Sequence, residues 1–302
     1  MKIAILGGTG LLGSNLVKLY SQNKLDVRAF SRSNSNNITS EYNNLIDFKF
    51  MKDELLKYFQ QWHPDIIINT VALVNLELCE KSPSLANFTN VTIAENSSFI
   101  ANKIGSYHIH ISTGHFFTEE RKSHSELAPI EIMNNYARTK LAAEKKVEML
   151  APEGLIVRTN ILGFRNNKSL SFFEWLLASL KGHELIELYK NYYTSPIAAR
   201  LLGEILLACY ACKLNGIYNI ASSDVISKYE FGVKVAKKFN LSITNVNAGL
   251  IQNLNSKSSI SRAFNNGLDC QKVEKILLRK MPTTDETIQQ LYNEYIEEGN
   301  GR

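Results

Sequence analysis

The 302-residue chain has no apolar run approaching the length of a membrane span, and it enters a strand pattern at once, without the basic and apolar leader of an exported protein. Both absences predict a cytoplasmic protein with no membrane partner. Cysteine is scarce. The four residues present, Cys79, Cys209, Cys212 and Cys270, are scattered among helical patterns, which predicts reduced thiols rather than a disulfide framework. Cys209 and Cys212 have C-x-x-C spacing, but they follow the apolar run 205–208 with no second pair or nearby histidine, so a zinc or redox site lacks its ligands. His108 and His110 alternate on a predicted strand and share a face; without a third ligand they read as packing or hydrogen-bonding residues, and no metal is expected. Excess charge is missing too. The net charge of +5 is spread along the chain, and Lys145-Lys146 and Lys237-Lys238 fit solvated helix faces, so no nucleic-acid partner is expected. There is no internal repeat.

What the chain does have is Gly7-Gly8-Thr9-Gly10-Leu11-Leu12-Gly13 directly behind the apolar strand pattern 2–6 and ahead of a Leu/Val-rich helical run. Glycine permits a tight turn and close approach of a pyrophosphate, while the helix start offers unpaired N–H groups and partial positive charge. Gly7, Thr9, Gly10, Leu11, Leu12 and Gly13 are therefore candidate cofactor-binding residues. Further strand candidates at 26–30, 46–50, 65–70, 107–112 and 154–158 alternate with helical patterns, which predicts an α/β fold with a doubly wound parallel sheet of Rossmann type. In such folds an acid near the end of the second strand binds the ribose hydroxyls of NAD. Here that acid is absent and Ser31-Arg32 stands in its place, so NADP is favoured over NAD, with Arg32 forking onto the extra phosphate; the alternative is an ordinary exposed loop arginine.

Residues 33–44 are rich in Asn and Ser and read as a polar loop near the adenine end of the cofactor. Past Gly163 the alternation weakens and Phe172, Phe173, Trp175, Tyr189, Tyr192 and Tyr193 gather, which predicts a dinucleotide-binding domain over 1–165 and a smaller C-terminal substrate lobe over 166–302. A strand near 216–221 would return to the main sheet, and residues 297–302 are expected to fray.

The second strong pattern is Tyr136-Ala137-Arg138-Thr139-Lys140 at the start of a helix, which puts Tyr136 and Lys140 on one face. An ammonium beside a phenol is expected to lower its pKa from near 10 toward neutrality. The preceding strand ends in Ser112-Thr113, so its hydroxyls would emerge at the carboxyl end of the sheet, where doubly wound folds bind ligands.

At these residues the chain resembles the extended short-chain dehydrogenase/reductase family. The resemblance implies that Thr113, Tyr136 and Lys140 act together on a carbonyl or hydroxyl beside the nicotinamide, with Ser112 as the neighbouring hydroxyl. Asn69 and Ala72 lie in the run that closes the fourth strand and would touch the cofactor. The pattern is most similar to the dTDP-4-dehydrorhamnose reductases and related nucleotide-sugar reductases, in the 65–69 strand, in Ser195-Pro196 followed by Arg200, and in Arg262 through Asp269 to Lys272. Asn160 in the sixth strand's exit, Ser112, His115 and Arg262 are the implied substrate-binding residues. Where these reductases carry Ser-Thr-Asp-Tyr-Val-Phe, this chain has Ser112-Thr113-Gly114-His115-Phe116-Phe117, and Ala137 and Ala263 replace a Gly and a Pro. Without the acid pair of a dehydratase beside Thr113, the resemblance implies an NADPH-dependent reductase of a nucleotide-linked 4-keto-6-deoxysugar, used for deoxysugar or surface-polysaccharide synthesis. The missing acid predicts poor use of dTDP-4-dehydrorhamnose and better use of a related keto sugar. His115 reads either as an assisting acid or as a hydrogen-bonding residue. The alternatives are a nucleotide-sugar epimerase and a non-catalytic NADP-binding regulatory subunit, like the beta subunit of methionine adenosyltransferase. The partner expected is the nucleotide-sugar substrate, with a homodimer as the assembly.

Overall fold

A computed structural model describes residues 1–34, 42–118, 123–165, 169–252, 260–297 and 299. The chain begins β1 (Lys2–Leu6), α1 (Leu11–Gln22), β2 (Asp26–Ser31), β3 (Asn43–Leu45), α2 (Met51–Trp62), β4 (Ile66–Asn69), α3 (Leu76–Lys81) and α4 (Pro83–Asn87). A π-turn over Phe88–Thr92 then leads into α5 (Ile93–Ile104), β5 (Tyr107–Ile111), α6 (Asn135–Leu150), β6 (Leu155–Arg158) and β7 (Ile161–Leu162). The second half runs through α7 (Phe172–Lys181), β8 (Ile186–Tyr189), β9 (Tyr193–Thr194), β10 (Ile197–Ala198), α8 (Ala199–Ala211), β11 (Gly216–Asn219) and β12 (Ile226–Ser227). It ends with α9 (Lys228–Lys238), β13 (Val246–Gly249), β14 (Asn265–Asn266), α10 (Gln271–Leu277) and α11 (Thr284–Glu297).

The main sheet has seven parallel strands in the order β11-β6-β5-β4-β1-β2-β3. This is the expected doubly wound sheet of Rossmann type, and the strand returning at 216–219 completes one edge. Period-two alternation along β1 sorts its side chains between two cores. Ile3 and Ile5 pack with Leu12, Leu16 and Tyr20 of α1 and with Leu202, Ile205 and Leu206 of α8. Ala4 and Leu6 join Phe30, Leu55, Phe59 and Ile100 on the opposite face. Strand order reverses between β1 and β4, which opens a crevice at the carboxyl ends of those strands.

A third core holds Phe164, just past β7, with Phe173, Leu176, Leu188, Phe231, Val235 and Leu291 from α7, β8, α9 and α11. Of the aromatic residues gathered past Gly163, Phe173 lies in this cluster and Phe172 packs against it, while Leu268, Cys270 and Val273 rejoin the first core. Gly203 lets α8 close on α1: a Cβ there would lie 2.7 Å from both Leu16 and Leu19, and Tyr20 donates to its carbonyl at 2.9 Å.

One strand expectation is corrected. The segment 46–50 is not a strand; the third strand is 43–45. Ile46 and Phe48 are buried in alternation, which imitates a strand, but the Asp47 carboxylate accepts from the Lys49 amide at 2.9 Å and the Asp47 carbonyl from the Phe50 amide at 3.0 Å. This Asx-type turn launches α2 instead. The expected polar loop at 33–44 therefore ends in strand at Asn43, and its residues 35–41 lie outside the described residues, as do 298 and 300–302 of the expected frayed end.

Candidate active site

The turn from β1 to α1 forms the floor of the crevice. Gly7 has φ 85°, in the left-handed region, and its amide donates to the Phe30 carbonyl at 2.8 Å. A Cβ on Gly13 would sit 2.2 Å from the Gly7 carbonyl oxygen and 2.8 Å from the Gly8 Cα, so only glycine lets α1 start this close to the turn. No side chain caps α1 at Gly10, which leaves the helix's first amides and the positive end of its dipole available. These features fit a dinucleotide pyrophosphate.

Gly10, Leu11, Leu12, Thr70, Ala72, Thr113, Tyr136 and Lys140 line one cleft of about 760 Å³. Ser112, His115, Asn160, Thr159, Asn266, Tyr192, Phe172, Arg165 and Lys228 complete its walls from the other side. Of the residues expected at the site, the cleft brings together Gly10, Leu11, Leu12, Ala72, Ser112, Thr113, His115, Tyr136, Lys140 and Asn160. Gly7 and Gly13 shape its floor from behind. Thr9, Ser31, Arg32, Asn69 and Arg262 do not line it.

Asn69 is buried at the end of β4, where its Oδ1 accepts from the Val71 amide at 3.1 Å and its Nδ2 meets His110 Nδ1 at 3.3 Å; it shapes the loop leading to Ala72. Ser31 donates to Asn43 Oδ1 at 2.6 Å and to the Ser33 carbonyl at 2.9 Å, while Arg32, just past β2, is exposed to solvent. Arg262 donates to the Ile260 carbonyl, and its charge reaches His115, Tyr189 and Tyr192.

Tyr136 enters the cleft because Asn134 caps α6, accepting from the Ala137 amide at 2.9 Å, which places Tyr136 on the first turn. Thr113, whose Oγ1 accepts from the His115 amide at 3.1 Å, lies near enough to the Tyr136 phenol to favour its ionised form. Burial nevertheless pushes that phenol up to about 12, so the expected lowering of its pKa is corrected. The reason is burial, and Lys140 is not among the groups that act on the phenol. Its buried ammonium donates to the Ile111 carbonyl at 2.7 Å and lies 3.4 Å from His110 Nε2, and burial brings its own pKa down to about 8. Ser112, although part of the wall, directs its hydroxyl to Glu144 Oε1 at 2.5 Å. That carboxylate also receives Arg158 at 3.0 and 2.7 Å in a buried ion pair.

Asn90, in the π-turn, accepts from the Leu73 amide at 2.7 Å and donates to Thr139 Oγ1 at 2.9 Å, tying the loop after β4 to the helix that carries Lys140. A family model described as the RmlD substrate binding domain matches residues 1–297. The chain belongs to the RmlD substrate binding domain family. Spore coat polysaccharide biosynthesis protein SpsK of Bacillus subtilis is 23% identical over 80% of this chain and 80% of its own length. Methionine adenosyltransferase 2 subunit beta of Xenopus tropicalis is 26% identical over 90% of this chain and 81% of its own length. Among solved structures, a dTDP-4-dehydrorhamnose reductase of Bacillus anthracis in complex with NADP superposes with a TM-score of 0.85 at 22% identity, covering 97% of this chain and 99% of that one.

Beside Tyr136, this RmlD-family cleft carries two departures from the reductase pattern, at positions 114 and 115. His115 is half-buried beside Tyr136, with ring centroids 6.2 Å apart, and its buried Nδ1 has no hydrogen-bond partner among the described residues. Burial, Lys228 and Arg262 press its pKa down to about 4, which holds the ring neutral at pH 7. Gly114 backs onto Asn160: a Cβ there would come within 2.8 Å of Asn160 Oδ1. Asn160 in turn donates to the Asn266 carbonyl at 2.7 Å.

Sequence reasoning missed Tyr192, Asn266, Thr159, Arg165 and Lys228. For Lys228 a signal was present. Ser227-Lys228-Tyr229-Glu230 has S-x-x-E capping-box spacing, and the structure forms that box, which puts a lysine at the first helical position where a cation opposes the helix dipole.

Proposed function

We propose that the protein is an NADPH-dependent reductase of a nucleotide-linked 4-keto-6-deoxysugar. The observation that carries this reading is the meeting of Thr113, Tyr136 and Lys140 on one wall of a cleft whose floor is the uncapped start of α1. The names of the relatives support it, since they include a polysaccharide biosynthesis protein and a keto-sugar reductase crystallised with NADP. The nicotinamide of bound NADPH supplies the hydride. Tyr136 is a protonated acid at neutral pH, and an oxyanion forming on the reduced carbon is the stronger base, so the phenol delivers its proton without needing a lowered pKa. Thr113, its Oγ1 held by the His115 amide at 3.1 Å, donates its one hydroxyl hydrogen to the same substrate oxygen. Lys140, fixed by the Ile111 carbonyl, holds the cofactor ribose beside them.

The floor of the cleft takes the pyrophosphate through Gly10, Leu11 and Leu12, and Arg32 takes the additional phosphate of NADPH. Residues 1–165 act chiefly as the cofactor domain and 166–302 as the substrate lobe, in a cytoplasmic homodimer whose mass sedimentation would report. No helix among the described residues is long and apolar enough to cross a membrane. The test is NADPH oxidation against dTDP-, UDP-, CDP- and GDP-linked 4-keto sugars, with at least one reduced at a rate far above the rest. Binding of NADPH without reduction of any sugar would favour the second reading, a non-catalytic subunit, to which similarity over 90% of the chain to the methionine adenosyltransferase subunit lends weight.

A further inference from the structure

The described residues lining the cleft include Lys140, Lys228 and Arg165 but no aspartate or glutamate, although the chain carries 29 acids. A cleft so composed suits polyanions. Lys140 belongs to the cofactor side, on α6. Lys228 lies across the cleft at the start of α9, and its placement opposes several physical preferences. It occupies the first position of a helix, at the positive end of the dipole. Its ammonium sits 4.0 Å from the Phe172 ring centroid and 5.6 Å from that of Tyr192, and no carboxylate pairs with it among the described residues. Glu230, the nearest acid along its own helix, is occupied in capping the Ser227 amide at 2.9 Å. A half-buried cation held by aromatic faces, unpaired and aimed into a cleft, is the arrangement of a group awaiting an anion.

We infer that Lys228 is the residue that binds the diphosphate of the nucleotide-linked substrate. The inference rests on the reading of the site as a nucleotide-sugar reductase. Its placement agrees with the chemistry: Lys228 acts electrostatically on His115, whose ring centroid is 6.2 Å from that of Tyr136, and both Lys228 and Tyr136 line the same cleft from different helices. The diphosphate is attached to the anomeric carbon, on the side of the ring opposite the 4-keto group. Phe172 and Tyr192 face the ammonium and limit its contact with water, which strengthens its attraction for phosphate.

Titration of the NADPH-loaded protein with thymidine, dTMP and dTDP, and with the corresponding uridine, cytidine and guanosine series, separates the phosphate contribution from that of the base. In the wild type, one series should gain at least about tenfold in affinity from nucleoside to diphosphate. Lys228→Met keeps an unbranched stem and should abolish that gain while leaving NADPH and nucleoside binding unchanged; Lys228→Arg should restore most of it. Should the methionine variant fail to fold, Lys228→Gln carries the same expectation. A Met or Gln variant that keeps the full diphosphate gain overturns the assignment of Lys228 alone. A wild type that binds NADPH but none of the diphosphates overturns the nucleotide-sugar reading and this assignment with it.

Discussion

At the scale of single residues, the site works through contrasts between neighbours of similar chemistry. Tyr136 and Lys140 share a helix face, yet burial moves them in opposite directions, the phenol up to about 12 and the ammonium down to about 8. The proton-donor role proposed for the phenol predicts that Tyr136→Phe reduces kcat by at least about a hundredfold with NADPH affinity nearly unchanged, a split that single-turnover kinetics and cofactor titration together would reveal. Arg32 is exposed, so its contribution is limited by solvent: Arg32→Asp should weaken NADPH about tenfold and leave NADH binding alone. Equal losses for both cofactors would remove Arg32 from the phosphate site. The identities of these residues were readable from spacing, since a helix puts positions four apart on one face. Their ionisation was not. It depends on burial, which only the packing of α6 against the sheet reveals. Ser112 shows the same limit: sequence places a hydroxyl at the strand's end, but only packing of α6 shows that it turns to Glu144.

Elements were legible where periodicity and local chemistry agree. β1, β2, β4, β5 and β6 follow their apolar patterns to within a residue or two, and the glycine spacing located the start of α1. The third strand was misread because a turn fixed by Asp47 buries Ile46 and Phe48 without a ladder. In β5, His108 and His110 share a face as their alternation requires, stacked with centroids 6.5 Å apart, and both are buried. His108 accepts or donates to Ser97 Oγ at 3.0 Å, and burial lowers its pKa to about 3, well under the ordinary value of 6.5. The folded state therefore holds it neutral while the unfolded chain binds a proton below pH 6.5, so stability is lost as pH falls from 6.5 toward 3. Each such histidine contributes a slope of about 1.4 kcal/mol per pH unit in the middle of that window. Urea unfolding at pH 6.5, 5.5 and 4.5 should show a shallower decline for His108→Gln than for the wild type; parallel declines would mean that β5 does not keep this ring neutral.

Across the whole molecule, the cleft is a joint between the parallel sheet and the segments that return from the second half of the chain. Asn160, just past β6, donates to the carbonyl of Asn266 in β14 and, at 3.4 Å, to that of Ser195 ahead of β10, so one side chain links sheet and lobe. Gly114 makes room for it. No side chain larger than hydrogen fits at 114 while Asn160 holds its place, because the added Cβ would stand 2.8 Å from Oδ1 and 3.0 Å from Nδ2 of the amide. The exchange of an acid for glycine beside Thr113 is thus coupled to the asparagine behind it rather than a simple deletion. Gly114→Asp alone should lower both thermal stability and kcat/KM toward every keto sugar, since the carboxylate displaces the amide that ties the lobe. Asn160→Ala alone should weaken the link and raise KM. The pair together should recover stability relative to Gly114→Asp and shift the kcat/KM ratio toward dTDP-4-dehydrorhamnose, giving a coupling of about 1 kcal/mol or more in a double-mutant cycle. Additive effects in that cycle would mean that the two positions act separately, and that substrate choice is set elsewhere in the cleft.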